Sequence, residues 1–403
     1  MQYREIKKTG EKLSLLGFGC MRFQTKLGRQ YSNLIDVETA KKQLFHAIDL
    51  GVNYLDTAYP YHFGASESFL GEHILSTPYR DKVNIATKLP CYLINDKAGI
   101  QKFFDLQMKK LKVDCIDYYL LHAIELRNYE KMKKLGIIEF IEKIKKEGKI
   151  RNMGFSFHGS KDEFPKIVDD YDWDFVQVQY NLLDEHFQAG IEGIKHAAEK
   201  GMGVIIMEPL RGGSLVNSLP SEVAKIYKEA PVKRTPAEWA MKWIADRPEV
   251  TTILSGMNSI EQIDENVKVL SESHPCTMTE EEKKTTENAK EAFNKLLKVR
   301  CTECGYCMPC TAGINIPATF KNYNNYYLFS KGRAKAQHMI YSGFRTKDGK
   351  PHWTSACIGC GKCERVCPQK IHITEELKKA GKVLETPINK VIAGAIRLIT
   401  EKK

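Results

Sequence analysis

The chain has 403 residues, 42% hydrophobic and 28% charged, an ordinary soluble balance with length for a barrel-sized domain plus a small module. No run of 18 or more apolar residues is present, which excludes a membrane-spanning helix; Met1-Gln2-Tyr3-Arg4-Glu5 opens no apolar signal region, so a cytoplasmic location is expected. Of the net charge of +11, residues 301–403 carry +10, with 17 Lys and Arg against 7 Asp and Glu, which suits either a solvated face or a docking surface for an acidic carrier such as a ferredoxin or flavodoxin, while nucleic acid is not expected.

The first dozen residues are expected to form a hairpin capping the bottom of a barrel. Eight short apolar runs follow: Leu15–Cys20, Asn53–Ala58, Asn84–Leu89, Ile116–His122, Ile150–Ser156, Phe175–Tyr180, Gly203–Glu208 and Val250–Ser255. Between them lie stretches with helical apolar spacing, such as Leu44/Phe45/Ile48 and Ile137/Phe140/Ile141/Ile144. Gly51, Gly148 and Gly201 suit helix stops, and Thr235-Pro236-Ala237-Glu238 reads as a helix start with a capping box. No G-x-G-x-x-G turn follows the first run. Residues 1–275 therefore read as a closed (β/α)8 TIM barrel. Residues 276–300 read as a connecting helix, opened by the Thr279/Glu282 capping box. Residues 301–403 read as a small, mostly helical cysteine-rich domain with an amphipathic helical tail over 374–397.

Barrel enzymes work at the C-terminal ends of their strands. The second run ends in Asp56 with Tyr61 just beyond, the third ends in Lys88 and the fourth in His122. Each alone has a bland explanation, as a helix cap, a loop aromatic, a snorkelling lysine or a core histidine. All four at consecutive strand ends form a chemical set. An ammonium beside a phenol is expected to lower its pKa from about 10, an aspartate holds the ammonium, and a histidine hydrogen-bonds the reacting oxygen. Such a set protonates a carbonyl oxygen as hydride reaches its carbon.

Leu55-Asp56-Thr57-Ala58-Tyr59-Pro60-Tyr61, the Lys88 and His122 contexts and Leu16-Gly17-Phe18-Gly19-Cys20-Met21-Arg22 resemble the aldo-keto reductase signature over residues 1–275. The resemblance implies a catalytic tetrad of Asp56, Tyr61, Lys88 and His122, with Tyr61 as general acid. It implies NAD(P)H contacts at Gly19, Cys20 and Met21, at Ser156 and Gln177 for the carboxamide, and at Met207, Glu208, Pro209 and Leu210, with Met207 where the family stacks a tyrosine. For the adenosine end it implies Ser255, Gly256, Gln262, Glu265 and Asn266. Gly256 and Gln262 stand where the family carries bases for a 2′-phosphate, and Gln262 also fits a capping box with Ser259. NADH, NADPH and a flavin all stay open. The substrate pocket is expected near Arg22, His62, Cys91-Tyr92 and Arg211.

Eight of the twelve cysteines fall in two tight runs, a metal-binding pattern in a reducing compartment. Cys301, Cys304, Cys307 and Cys310 are spaced by two residues each; Cys357, Cys360, Cys363 and Cys367, followed by Pro368, form the bacterial ferredoxin run. By analogy with that run, Cys301, Cys304, Cys307 and Cys367 hold one 4Fe-4S cluster and Cys357, Cys360, Cys363 and Cys310 the other. Structural zinc is the alternative. Cys20, Cys91, Cys115 and Cys276 are scattered and read as packing.

The whole chain is similar to ferredoxin-type aldo-keto reductases. This implies an oxidoreductase acting on a small carbonyl or alcohol and coupled to two clusters. Two alternatives stand beside it. One is a flavin- or ferredoxin-linked reductase that does not use NADPH directly; the other is an electron-carrier module without turnover in the barrel.

Overall fold

The eight apolar runs pair side by side and close on themselves. The computed structural model describes residues 1–26, 32–217, 219–299, 301, 307–344, 350–367 and 370–400. It opens with an antiparallel hairpin, β1 (Tyr3–Glu5) on β2 (Lys12–Ser14), Tyr3 opposite Ser14. Then come β3 (Leu16–Gly19), β4 (Tyr54–Asp56), β5 (Asn84–Leu89), β6 (Ile116–Ile124), β7 (Ile150–Phe157), β8 (Phe175–Gln179), β9 (Gly203–Met207) and β10 (Thr252–Ser255). These eight are parallel and neighbour one another in chain order, and β10 closes on β3 with Ile253 opposite Leu16. Strands buried on both faces read as continuous apolar runs, which is why the sequence marks them clearly.

The hairpin plugs the end where the strands begin. Ile6 and Leu13 join a buried cluster with Tyr54, Ala86, Tyr118, Leu120, Phe175, Ile205 and Leu254. The Lys8 amide donates to the Gly201 carbonyl at 3.0 Å, just before β9. The opposite end, where the strands finish, is left for chemistry.

Helix boundaries follow the local signals. Gly51, Gly148 and Gly201 are left-handed, with φ of 95°, 69° and 76°. Thr235 caps the helix Pro236–Ala245 by accepting from the Glu238 amide. The Thr279/Glu282 box forms both of its bonds, at 2.9 and 3.2 Å, at the start of the helix Glu280–Leu296.

The chain forms two compact units, Met1–Leu215 with Arg234–Thr286, and Val216–Lys233 with Glu287–Lys403. The second takes in Val216–Lys233, which the sequence boundaries group with the barrel. It is helical, with Ile316–Leu328, Lys331–Met339, Ile373–Leu384 and Pro387–Thr400. Its core joins Ile314, Ile316, Phe320, Tyr323, Ala334, Ile373, Leu377, Ala380 and Leu384, and Cys301, Cys307, Cys310, Cys357, Cys363 and Cys367 pack half-buried against that core. Among the described residues no helix is long and apolar enough to cross a membrane.

Candidate active site

Asp56 ends β4, Lys88 lies one residue from the end of β5, and His122 lies near the end of β6. Beyond β4 the chain turns through Tyr61–Gly64, where His62 and Phe63 take left-handed φ of 51° and 53°. Non-glycine residues hold that conformation only when their surroundings impose it. Here the His62 ring is the anchor. Its Nδ1 faces the Ser32 carbonyl at 2.8 Å, its Nε2 accepts from the Phe23 amide at 3.2 Å, and it stacks on Phe23. His62 is buried with both nitrogens engaged, so its ring holds the turn in place.

The turn brings Tyr61 to Lys88. The Lys88 Nζ donates to both Asp56 oxygens at 2.7 and 2.8 Å, to the Thr57 carbonyl at 2.8 Å and to the Tyr61 hydroxyl at 3.4 Å. Lys88 and Asp56 are 1% and 2% exposed. A buried ion pair persists only when such partners satisfy it. Burial alone would pull the ammonium down, but Asp56 and Tyr61 outweigh it and hold Lys88 above the ordinary lysine range.

The Tyr61 phenol corrects one expectation. Burial pushes it up to about 12, and Lys88 offsets only part of that. The hydroxyl is therefore protonated at neutral pH, as a proton donor must be. Burial, with Lys88 and His158 adding to it, drives His122 down to about 3, so its ring is neutral. The ring meets Tyr61 edge-on at 6.4 Å and Tyr92 at 5.8 Å, and its Nδ1 is buried without a partner among the described residues.

At the ends of β7, β8 and β9 the expected carboxamide contacts sit close together. Ser156 is buried and its Oγ accepts from the Ala123 amide at 2.8 Å, which leaves its hydroxyl proton to donate. Gln177, 1% exposed, sends its Nε2 toward the Met207 sulfur at 3.7 Å, and its Oε1 has no partner among the described residues. Glu208, left-handed at φ 54°, is followed by buried Pro209 and half-buried Leu210. Gly19 approaches the Ser255 carbonyl, Cys20 is fully buried, and Met21 is exposed.

The adenosine-end residues bond mostly to one another. Asn266 donates to the Ser255 hydroxyl at 3.0 Å, and Glu265 accepts from Thr235 at 2.5 Å. Gln262 accepts from the Asn258 amide at 3.0 Å while its own amide bonds to Ser259. This is the capping arrangement of the helix Ile260–Ser271.

In the second unit, Cys307, Cys310, Cys360 and Cys363 line one cavity of about 160 Å³ with Met308, Pro309, Thr311, Lys362 and Val366. Cys304 and Pro368 lie outside the described residues. Cys20 and Cys91 are buried in the barrel, and burial raises both thiols, Cys91 to about 12, which suits packing rather than reactivity.

Comparison with known proteins decides what this barrel is. The model of the aldo/keto reductase family matches residues 15–282. The chain belongs to the aldo/keto reductase family. A 4Fe-4S dicluster domain matches residues 300–372, so this reductase carries an iron–sulfur domain behind its barrel. It is 27% identical to L-galactose dehydrogenase of Arabidopsis thaliana over 308 residues, 70% of this chain and 92% of that protein. It is 25% identical over 312 residues to a Schizosaccharomyces pombe aldo-keto reductase, yakc, whose name carries NADP(+), covering 68% of this chain and 89% of the relative. Among solved structures, an aldo-keto reductase from Bacillus halodurans in its holo form is similar with a TM-score of 0.59 at 26% identity, covering 72% of this chain and 96% of that one. The chain is an oxidoreductase of this family.

Sequence reading of the reductase missed the layer beneath the tetrad. Glu67, fully buried, accepts from Thr87 at 2.7 Å and from Gln107 at 2.6 Å. Gln107 also donates to the Lys88 carbonyl at 3.0 Å and accepts from Tyr119 at 2.8 Å. Lys110 lies 3.6 Å from Glu67 and donates to the Gly64 carbonyl at 3.1 Å. The network ties the turn bearing Tyr61 to the strand bearing Lys88. Its one sequence signal is an acid six residues after Tyr61, on a short helix that otherwise ends in Phe69 and Leu70.

Proposed function

We propose that the barrel reduces a small carbonyl, or oxidises the matching alcohol, with Tyr61 moving the proton. The observation that carries this reading is Lys88, buried and bonded at once to Asp56 and to the Tyr61 hydroxyl. Asp56 keeps Lys88 charged. Lys88 in turn stabilises the phenolate left after the proton goes to the substrate oxygen. Neutral His122 offers a hydrogen bond to that oxygen from a ring that the protein leaves unpartnered at Nδ1. Tyr92, exposed beside His122, borders the substrate in this reading.

A carboxamide needs one acceptor for its NH2 and one donor for its carbonyl. Gln177 Oε1 and the Ser156 hydroxyl supply both, so the residues present fit a nicotinamide. When bound, that group supplies hydride. The name of the S. pombe relative supports NADP(H) for the reductase.

The proposed division keeps residues 1–275 as the catalytic barrel, 276–300 as the connecting helix and 301–403 as the cluster domain. Cys301, Cys304, Cys307 and Cys367 are proposed to hold one 4Fe-4S cluster, and Cys310, Cys357, Cys360 and Cys363 the other. Cys310, Cys360 and Cys363 of the second set line one cavity together with Cys307 of the first. Its dicluster domain favours a second reading of the electron source: a flavin- or ferredoxin-fed reductase, since single-electron clusters couple to hydride only through a converter.

The test is anoxic assay of the full chain with small aldehydes, followed by NADPH and NADH absorbance and by release of any flavin. Aldehyde-dependent NAD(P)H oxidation is expected, and Tyr61→Phe should reduce kcat by about 10²–10⁴ with dinucleotide affinity unchanged. Turnover of the variant within a few-fold of wild type would refute the role of Tyr61. Bound flavin with no NAD(P)H oxidation would establish the second reading.

A further inference from the structure

Two neighbouring tyrosines of the second unit stand among lysines that no acid neutralises. The helix Ile316–Leu328 carries Tyr326, half-buried, and Tyr327, 39% exposed, with ring centres 5.1 Å apart. The ammoniums of Lys331 and Lys335, on the helix Lys331–Met339, each lie 5.6 Å from the Tyr326 centre, and that of Lys298 lies 4.6 Å from the Tyr327 centre. The ring quadrupole holds an ammonium over an aromatic face. None of these three lysines pairs with a carboxylate among the described residues.

The patch is tied to the first cysteine run. Asn324, on the same helix as the tyrosines, accepts from the Lys298 and Val299 amides at 2.9 and 3.0 Å and donates to the Val299 carbonyl at 2.7 Å. Val299 enters the core against which Cys301 packs. Lys298 stands three residues before Cys301, a stretch of at most about 11 Å even when extended.

Charge and shape together select the partner. Unneutralised ammoniums attract carboxylates, and residues 301–403 add a net +10 around them. Tyrosine is enriched at protein interfaces, where its ring supplies apolar area and its hydroxyl stays wet. Nucleic acid fits less well, because bases stack on open aromatic faces. Here lysines and the neighbouring ring already cover those faces.

We propose that Tyr326, Tyr327, Lys298, Lys331 and Lys335 form the docking surface for an acidic one-electron carrier protein, beside the first cysteine run; this rests on the cluster reading above. One electron leaves the reduced carrier and enters a cluster. The carrier is oxidised, the cluster is reduced, and no bond forms or breaks.

The experiment uses the full chain, prepared anoxically, with a reduced acidic [2Fe–2S] ferredoxin as the probe. Affinity and the rate of cluster reduction are measured at low and high salt for wild type, Lys331→Glu/Lys335→Glu, Tyr327→Ala and Lys378→Glu/Lys382→Glu, with iron content and Tm as checks on folding. The last pair makes the same charge change on exposed lysines of the helix Ile373–Leu384. The patch pair should lose about tenfold in affinity and rate at low salt and much less at high salt, while the control pair stays within about threefold of wild type. Tyr327→Ala should lose affinity at both salt levels, since it removes contact area and not charge. Equal losses for the two lysine pairs would overturn the proposal, because net charge alone would explain them. A patch pair within about twofold of wild type would overturn it too, as would a wild type that does not bind the ferredoxin. So would a single-stranded oligonucleotide that binds wild type more tightly than the ferredoxin does and loses that binding in the patch pair. Ferredoxin bound through the patch to a chain holding zinc in place of iron would sustain the surface and overturn the cluster reading instead.

Discussion

His122 links the site to stability. Its ordinary pKa of 6.5 falls to about 3 in the folded protein, through burial first and then the charges of Lys88 and His158. Between those values the unfolded chain binds a proton that the native ring refuses. Its contribution to stability is therefore complete above about 6.5 and is lost as pH falls toward 3. His122→Asn removes the titration and keeps a polar side chain. The expected result is a Tm that falls less steeply than wild type between pH 6.5 and 5 and runs parallel to it above pH 7. Parallel curves through the whole range would mean that the native ring protonates freely.

Among the elements, the close approach of two helices sets the Tyr61 turn. Gly71 ends the run Ala65–Leu70, and a Cβ there would stand 2.1 Å from the Lys110 carbonyl and 2.8 Å from the Leu111 carbonyl carbon. Both are backbone atoms, so the helices would have to part. Gly71→Ala should cost about 1–3 kcal/mol, as overpacking does, and lower kcat by loosening the Lys110–Gly64 bond. Gly394→Ala, with open space around it inside the helix Pro387–Thr400, should leave Tm unchanged or raise it slightly. Equal Tm for the two variants would disprove the close packing. The eight strands were legible because burial on both faces writes an apolar run, and the helix ends because Gly51, Thr235 and Thr279 act on their immediate neighbours. The proposed tetrad was legible because Asp56, Lys88 and His122 sit at or near strand ends and Tyr61 lies in the turn just beyond one. Glu67, Gln107 and Thr87 were not, since their bonds join residues 20 to 40 positions apart. The direction of the Tyr61 shift was not either, because charge is visible in a sequence and desolvation is not.

For the molecule as a whole, the charge lies with the cysteines: residues 301–403 hold +10 of the net +11. Two clusters with four thiolates each would leave that segment positive. Anoxically prepared protein is expected to hold about eight irons per chain, and a reduced acidic ferredoxin should reduce them faster at low salt than at high, since screening acts over about 10 Å at 0.1 M. Stoichiometric zinc would rule out the clusters. Iron with a salt-independent rate would rule out the charged docking surface alone.

The second unit is assembled from two stretches, Val216–Lys233 and Glu287–Lys403, separated by the helix before β10, by β10 itself and by the helix after it. During synthesis the earlier stretch leaves the ribosome long before its partner. At ordinary elongation rates it waits on the order of ten seconds for the final residues. Val223 and Tyr227, buried in the finished protein, belong to that earlier stretch. No single break in the gene divides the units cleanly, so a message truncated after the barrel would leave that early stretch without its partner.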